Sequence, residues 1–451
     1  MSINQVRSAR STKELQAVDR AHLLHPLTDH SPMHEQGTRV ITSGQGCFLY
    51  DSEGRRFLDA ISALWCVNVG YSRREIVDAI YEQMKKLPYY CSAWNSTTEP
   101  TILLAERLTT LGPKRLKHVF FSNSGSEGNE AALKIIRFHN KRTGQSRKRK
   151  ILSLTNSYHG GTLATSSMTG LKVSYEPYDL PLEGFVHCPA PYRYAADTSM
   201  TEIEYGQWCL DETARIIERE GAETIAAMFV EPVQGSGGVV VPPEGYLRGL
   251  RELCRQHSIF FVADEVITGY GRTGAWFASN LWDLDPDFMN TAKGVTSGYL
   301  PLGALFVSEE IADVVIRGGF FSHVFTYSGH PAATAAAMAN LDILESEGLI
   351  TRAHDSIGPY LQKRLREFEN HPAVGEVRGL GLIAAMELLP PSRQKEVKPT
   401  VGPKALALFR EAGVIVRVGG NTVAFSPPLI ITEAEVDMII AAVAKVLDRV
   451  W

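Results

Sequence analysis

Lys293 and Asp264 are the residues whose types and spacing set up chemistry. Lys293 lies in Asn290-Thr291-Ala292-Lys293-Gly294, just past a short apolar run and just before a Gly-rich turn. Asp264 follows the apolar run Ile259-Phe260-Phe261-Val262-Ala263. A lysine in a loop is usually a solvated charge, and a carboxylate behind a buried strand is often half of a salt bridge. At the ends of successive buried strands the two can instead hold a pyridine-type cofactor between them. The lysine forms a Schiff base, and the aspartate pairs with the ring nitrogen.

Three further turns sit where such a group needs partners. Ser122-Asn123-Ser124-Gly125-Ser126-Glu127 joins a strand to a helix, and its small residues permit either a phosphate-binding cup or a plain tight turn. Tyr158-His159-Gly160-Gly161 follows another strand, so Tyr158 can stack on a planar ring or simply pack. Glu231-Pro232-Val233-Gln234-Gly235 follows a third. Ligands collect at the carboxyl ends of strands in open α/β sheets, so the coincidence strengthens each weak signal. Gly269-Tyr270-Gly271-Arg272-Thr273-Gly274 lacks the order of a dinucleotide loop. His159, His323 and His330 lack zinc-site spacing, and no metal is expected.

The elements that must position these residues show in the hydrophobic pattern. The first 60 residues read as a helix and then a small sheet: Val40-Ile41, Cys47 to Tyr50 and Phe57-Leu58-Asp59, with turns at Ser43-Gly44 and Asp51 to Gly54. From about 65 to 335, strand and helix alternate. Strands are predicted at Val119 to Phe121, Lys150 to Leu154, Ile225 to Val230, Ile259 to Val262, Phe288-Met289 and Leu302 to Val307. Ala131, Ile135 and Phe138 share one helix face. Near-continuous apolar strands alternating with helices indicate a parallel or mixed sheet buried on both faces. After about 335 the pattern predicts a long helix, small strands within 373–388 and 414–426, and a surface loop from Pro390 to Pro403. A last helix opens with the capping box Thr432-Glu433-Ala434-Glu435 and buries Val436, Ile439, Ile440, Val443 and Leu447.

The chain has 451 residues, of which 44% are hydrophobic and 21% charged, which is ordinary for a soluble globular protein. Its net charge of −4 implies no general attraction to nucleic acid or anionic membrane. Arg147-Lys148-Arg149-Lys150 reads as a solvated loop. The six cysteines show no C-x-x-C spacing, residues 1–20 are polar and charged, and no apolar stretch is long enough to span a membrane. A cytoplasmic location with free, buried thiols is expected.

Asp264-Glu265-Val266-x-x-Gly269-x-Gly271-Arg272-x-Gly274 followed by Lys293-Gly294 resembles the signature of class III aminotransferases, pyridoxal-phosphate enzymes of fold type I. The resemblance extends over nearly the whole chain. It takes in Leu64 to Tyr71, Ser124 to Glu127, Tyr158-His159-Gly160, Glu231 to Gly235 and Phe325 to Pro331. The segment around Trp65, and Ser426-Pro427-Pro428-Leu429, are similar to the ω-transaminase branch, with its putrescine–pyruvate and taurine–pyruvate members.

The resemblance implies a large pyridoxal-phosphate-binding domain over 65–335, with a mixed, mostly parallel seven-stranded sheet. It also implies a small α+β domain built from 1–64 and 336–451. Lys293 is then the Schiff-base lysine and Asp264 holds the ring nitrogen protonated. Ser124, Gly125 and Ser126 cradle the phosphate, Tyr158 and Val266 pack the two faces of the ring, and Gln234 approaches the ring hydroxyl. Thr326 reaches the phosphate from a partner subunit, giving a homodimer with a shared site, with pairing into tetramers left open. Trp65 lines the substrate pocket, and Arg417 binds a substrate carboxylate and swings out for an amine that lacks one. The chain departs from the family at Gly128, usually Ala, and at Glu99-Pro100, usually His-Pro. It departs at Ala93-Trp94, where the family has an aromatic pair, and at Leu27, where many amine-active relatives carry Phe. Leu27, Ala93 and Trp94 are therefore candidate donor-pocket residues. The expected reaction is a ping-pong transfer of an amino group from a primary amine or ω-amino acid to pyruvate. Its rivals are an aminomutase or decarboxylase on the same fold, an aminotransferase using 2-oxoglutarate, and a non-catalytic binding protein.

Overall fold

The computed structural model describes residues 10–196, 198–389 and 401–451. Near the N-terminus, β1 (Ile41–Gln45), β2 (Phe48–Asp51) and β3 (Arg56–Asp59) form an antiparallel meander. Ser43-Gly44 is not the turn predicted there. It lies inside β1, beside an irregularity in register, and the chain reverses at Gly46, whose φ of 57° suits glycine.

The central sheet has seven strands: β4 (Leu116–Ser122), β5 (Lys150–Leu154), β6 (Phe185–Cys188), β7 (Ile225–Val230), β8 (Phe260–Asp264), β9 (Phe288–Thr291) and β10 (Gly303–Ser308). Their spatial order is β4-β10-β9-β8-β7-β5-β6. All pairs from β9 to β6 are parallel, while β10 runs antiparallel to both its neighbours. Strands β7 and β10 are buried at every residue, as expected of a sheet covered on both faces. The helix Gly125–Arg142 packs on one face and buries Ala131 and Ile135, while Phe138 meets Phe321 edge-on.

Strand β6 was not predicted. It is a short edge strand of mostly half-buried residues, so it lacks the apolar run that marked its neighbours. The long helix predicted after 335 is three helices, Pro331–Ser346, Leu349–Asp355 and Ile357–Arg366. Left-handed Gly348 (φ 61°) and non-helical Ser356 break it. The helix Pro331–Ser346 itself runs through the 335/336 boundary drawn from the sequence.

Two smaller sheets complete the fold. β11 (Val374–Leu380), β12 (Ile383–Leu388), β14 (Arg417–Gly419) and β15 (Thr422–Phe425) form one antiparallel sheet in the order β11-β12-β15-β14. β13 (Val414–Ile415) instead joins β3 in parallel and ties the C-terminal part to the N-terminal sheet. Residues 390–400 of the predicted surface loop lie outside the described residues, and its end is helical. Gly402–Glu411 is a helix with Pro403 in the first turn, where a missing N–H costs nothing. The final helix, Glu433–Leu447, has the predicted capping box and buries all five predicted residues.

The basic run is less solvated than expected. Lys148 is buried and donates to the carbonyls of His257 and Ser258, and Lys150 pairs with Glu220. All six cysteines are free, four of them buried. Among the described residues, no helix is long and apolar enough to cross a membrane.

Candidate active site

Strands β8 and β9 deliver the central pair. They run parallel with Asp264 opposite Asn290, so the ends of both strands open at one edge of the sheet. Lys293 follows two residues after β9 with a φ of 47°, a conformation that costs a side-chain-bearing residue of order 1–3 kcal/mol. Lys293, Asp264, Ser124, Gly125, Ser126, Tyr158 and Val266 line one cavity of about 350 Å³. Enclosure lowers the pKa of Lys293, against the opposing pull of Asp264 and Glu231.

Three groups bond to the Asp264 carboxylate. Its Oδ2 accepts from Asn129 Nδ2 and bonds His159 Nδ1, each at 2.8 Å. Its Oδ1 accepts only the Val266 N–H, at 3.3 Å. Asn290 Nδ2 donates in turn to Asn129 Oδ1 at 2.9 Å. Oδ1 is thus the oxygen with acceptor capacity to spare.

The turn after β4 has the features of an anion cup. Ser124 caps the helix Gly125–Arg142, its Oγ accepting from Glu127 N–H and its carbonyl from Gly128 N–H. That leaves the N–H groups of Gly125 and Ser126, which line the cavity, without an intrahelical acceptor. A Cβ at Gly125 would stand 2.7 Å from Val266 Cγ2, and one at Gly160 would stand 2.5 Å from Ser126 Oγ. Only glycine leaves room at these two positions, so the backbone of the cup stays open to an anion such as a phosphate group.

The other predicted residues lie apart from this cavity. Gln234 is buried; its Nε2 donates to the Thr155 carbonyl and its Oε1 has no partner. Trp65 and Arg417 line an adjoining cavity of about 310 Å³. Arg417 Nη1 donates to Ser236 Oγ at 3.0 Å, and its guanidinium carbon sits 6.0 Å from the Trp65 ring centre. Burial lowers the pKa of Arg417, opposed by Glu231 and Tyr158. Trp65 comes from a tight segment in which Ser62, Ala63 and Trp65 all have positive φ, and buried Asp59 accepts the N–H groups of Ile61 and Ala63.

Leu27, Ala93, Trp94 and Thr326 do not line either cavity in the single chain. Leu27 and Trp94 are 88% and 84% exposed, and Thr326 is exposed too. A further cavity of about 580 Å³ shares Asn123, Leu300 and Pro301 with the first and reaches Tyr327, next to Thr326.

Sequence reasoning missed four site residues. Asn129 and His159 hold the aspartate, Asn290 holds Asn129, and Glu231 lines the cavity. Glu231 accepts from Tyr158 N–H at 2.8 Å and Gly235 N–H at 3.0 Å, and burial pushes its pKa up to about 7. Its place at the end of buried β7 was a usable signal. His159 was weighed only as a metal ligand, and nothing local marked the two asparagines.

A mixed sheet ending in a lysine, an aspartate and a helix-capped anion cup defines a pyridine-cofactor enzyme by its geometry. The chain belongs to the class-III aminotransferase family, whose profile matches residues 30–447 and whose members depend on pyridoxal phosphate. It is 42% identical over 449 residues to the putrescine–pyruvate aminotransferase of Pseudomonas aeruginosa, covering 99% of this chain and 98% of that one. It is 40% identical to the diaminobutyrate–2-oxoglutarate transaminase of Halomonas elongata, covering 91% and 90%. An (S)-enantioselective ω-transaminase from Thermomicrobium roseum superposes with a TM-score of 0.94 at 42% identity, covering 98% of this chain and 100% of that one. The ω-transaminase of Pseudomonas jessenii in complex with PMP gives 0.93 at 38% identity, covering 97% and 98%.

Proposed function

We propose that this transaminase moves an amino group from a primary amine or ω-amino acid to pyruvate, giving an aldehyde or ketone and alanine. The observation that carries the reading is Lys293, its pKa lowered by enclosure in the cavity that Asp264 also lines. Similarity to the putrescine–pyruvate enzyme along 99% of the chain supports the choice of substrates.

Pyridoxal phosphate, when bound, supplies an electrophilic carbonyl and an electron sink. Ser124, Gly125 and Ser126 would hold its phosphate and Asp264 Oδ1 its ring nitrogen. Tyr158 and Val266 would flank the ring, and Gln234, whose buried Oε1 has no partner, would accept from the ring hydroxyl. Lys293 Nζ would carry the proton from the amine-bearing carbon of the donor to the cofactor carbon in the first half-reaction, and from the cofactor carbon to the keto-acid carbon in the second. Arg417 binds the pyruvate carboxylate by its fork, with Trp65 as the apolar wall beside it. An amine donor without a carboxylate leaves that charge unmatched, which favours an Arg417 turned away toward Ser236.

We read the enzyme as a homodimer in which Thr326, Leu27, Ala93 and Trp94 complete the partner's site; the exposure of Thr326, Leu27 and Trp94 in one chain supports this. We also read 65–335 as the cofactor-binding domain and 1–64 with 336–451 as the small one, which the pairing of β3 with β13 supports. Free cysteines fit a cytosolic location.

Product analysis with a diamine and pyruvate tests the reading. Alanine should form, and Arg417→Ala should raise the KM for pyruvate more than that for the diamine. Carbon dioxide release, or glutamate formation from 2-oxoglutarate with none of alanine from pyruvate, would contradict it.

A further inference from the structure

The support behind Asp264 passes through a pair of residues that depend on each other. Asn290, fully buried in β9, donates from Nδ2 to the carbonyl of Gly125 at 2.8 Å and to Asn129 Oδ1 at 2.9 Å. Asn129, also fully buried, spends its own Nδ2 on Asp264 Oδ2 and on the His159 carbonyl, both at 2.8 Å. Residue 128 is a glycine on the helix facing Asn290. A Cβ there would lie 2.0 Å from Asn290 Oδ1 and 2.8 Å from its Cγ, closer than atoms approach.

A carboxamide has an oxygen end and a nitrogen end of nearly equal size, so its direction is set by its partners. Turned over, Asn129 would put its oxygen against the Asp264 carboxylate and the His159 carbonyl, both acceptors. The Asn290 N–H donor secures the correct direction. Without it, Asn129 Oδ1 is a buried acceptor with nothing to accept, and the side chain loses its lock. With Asn129 fixed, Oδ2 is fully engaged and Oδ1 is the oxygen with acceptor capacity to spare.

We propose that Gly128 and Asn290 are a coupled positioning pair: Gly128 leaves the space, and Asn290 fills it to orient Asn129 and thereby the Asp264 carboxylate that would meet the cofactor's ring nitrogen. The inference rests on the seating of the cofactor between Lys293 and Asp264. Neither residue touches the cofactor or the substrate, and both act through Asn129.

Three variants test it: Asn290→Ala, Gly128→Ala and the double variant. The readouts are the dissociation constant for pyridoxal phosphate, the pH midpoint of the bound cofactor's visible absorption band, and the thermal midpoint of the cofactor-free chain. Asn290→Ala should weaken cofactor binding about 10-fold, the order expected for the loss of one hydrogen bond, and displace the pH midpoint. Gly128→Ala should move both in the same direction. The double variant should be no worse than Asn290→Ala alone, because the clash goes with the side chain. Cofactor binding and a pH midpoint unchanged in Asn290→Ala, with only the thermal midpoint lowered, would reduce the residue to packing and overturn the proposal. So would a double variant carrying the sum of the two single losses. A parent chain that gains no visible band with pyridoxal phosphate would sink the proposed function along with it.

Discussion

At the scale of single residues, the site is a set of charges that enclosure has shifted. Lys293 is pushed toward its neutral form, which is the nucleophilic one. Glu231 is pushed the other way, from 4.5 to about 7, chiefly by burial. Its two backbone donors, the N–H groups of Tyr158 and Gly235, only partly offset that cost. The folded chain therefore keeps a proton that the unfolded chain releases above about pH 4.5. Glu231 costs the fold nothing below that pH, and stability falls as pH rises through about 7, by roughly 3 kcal/mol in all. In cofactor-free protein, Glu231→Gln should remove this slope, as read from urea midpoints between pH 4.5 and 8, whatever the absolute loss from the mismatched amide. A variant with the parent's slope would show that another group carries it.

At the scale of elements, irregular segments hold the site together and one buried cation links them. Arg272, fully buried after β8, donates to the carbonyls of Leu382 and Pro427, to Asn68 Oδ1 and to Ser62 Oγ. It thus ties the glycine turn at 269–274 to the Trp65 segment and to the C-terminal part of the chain. Arg272→Ala should cost roughly 3–5 kcal/mol, since it leaves several buried acceptors unpaired, and Arg272→Lys should recover only part, since one ammonium cannot fork to all four. A loss below about 1 kcal/mol in guanidinium unfolding would contradict this. The sequence made the strands legible because β7, β8 and β10 are runs of apolar residues bounded by turns. It made Lys293 and Asp264 legible because each closes such a run. Edge strand β6 has no such run. The breaks at Gly348 and Ser356 are single backbone conformations in an otherwise helical pattern. Asn129, Asn290 and His159 meet Asp264 from three different elements, so no local spacing could reveal them.

At the scale of the whole molecule, one chain leaves large apolar groups in water. Leu27, Trp94 and Phe320 are each more than 80% exposed, and Tyr89, Tyr90 and Tyr327 are substantially so. Burying a Leu or Phe side chain is worth about 1.5–3 kcal/mol, so such a surface favours association. Sedimentation at micromolar concentration should give at least the mass of two chains. A fully active single chain would contradict the shared site.

The central claim is that Lys293 carries the cofactor. Purified protein supplied with pyridoxal phosphate should be yellow, and borohydride should abolish that colour and leave a reduced adduct found by peptide mapping on Lys293. An adduct on any other lysine, or none after reduction, would contradict the account.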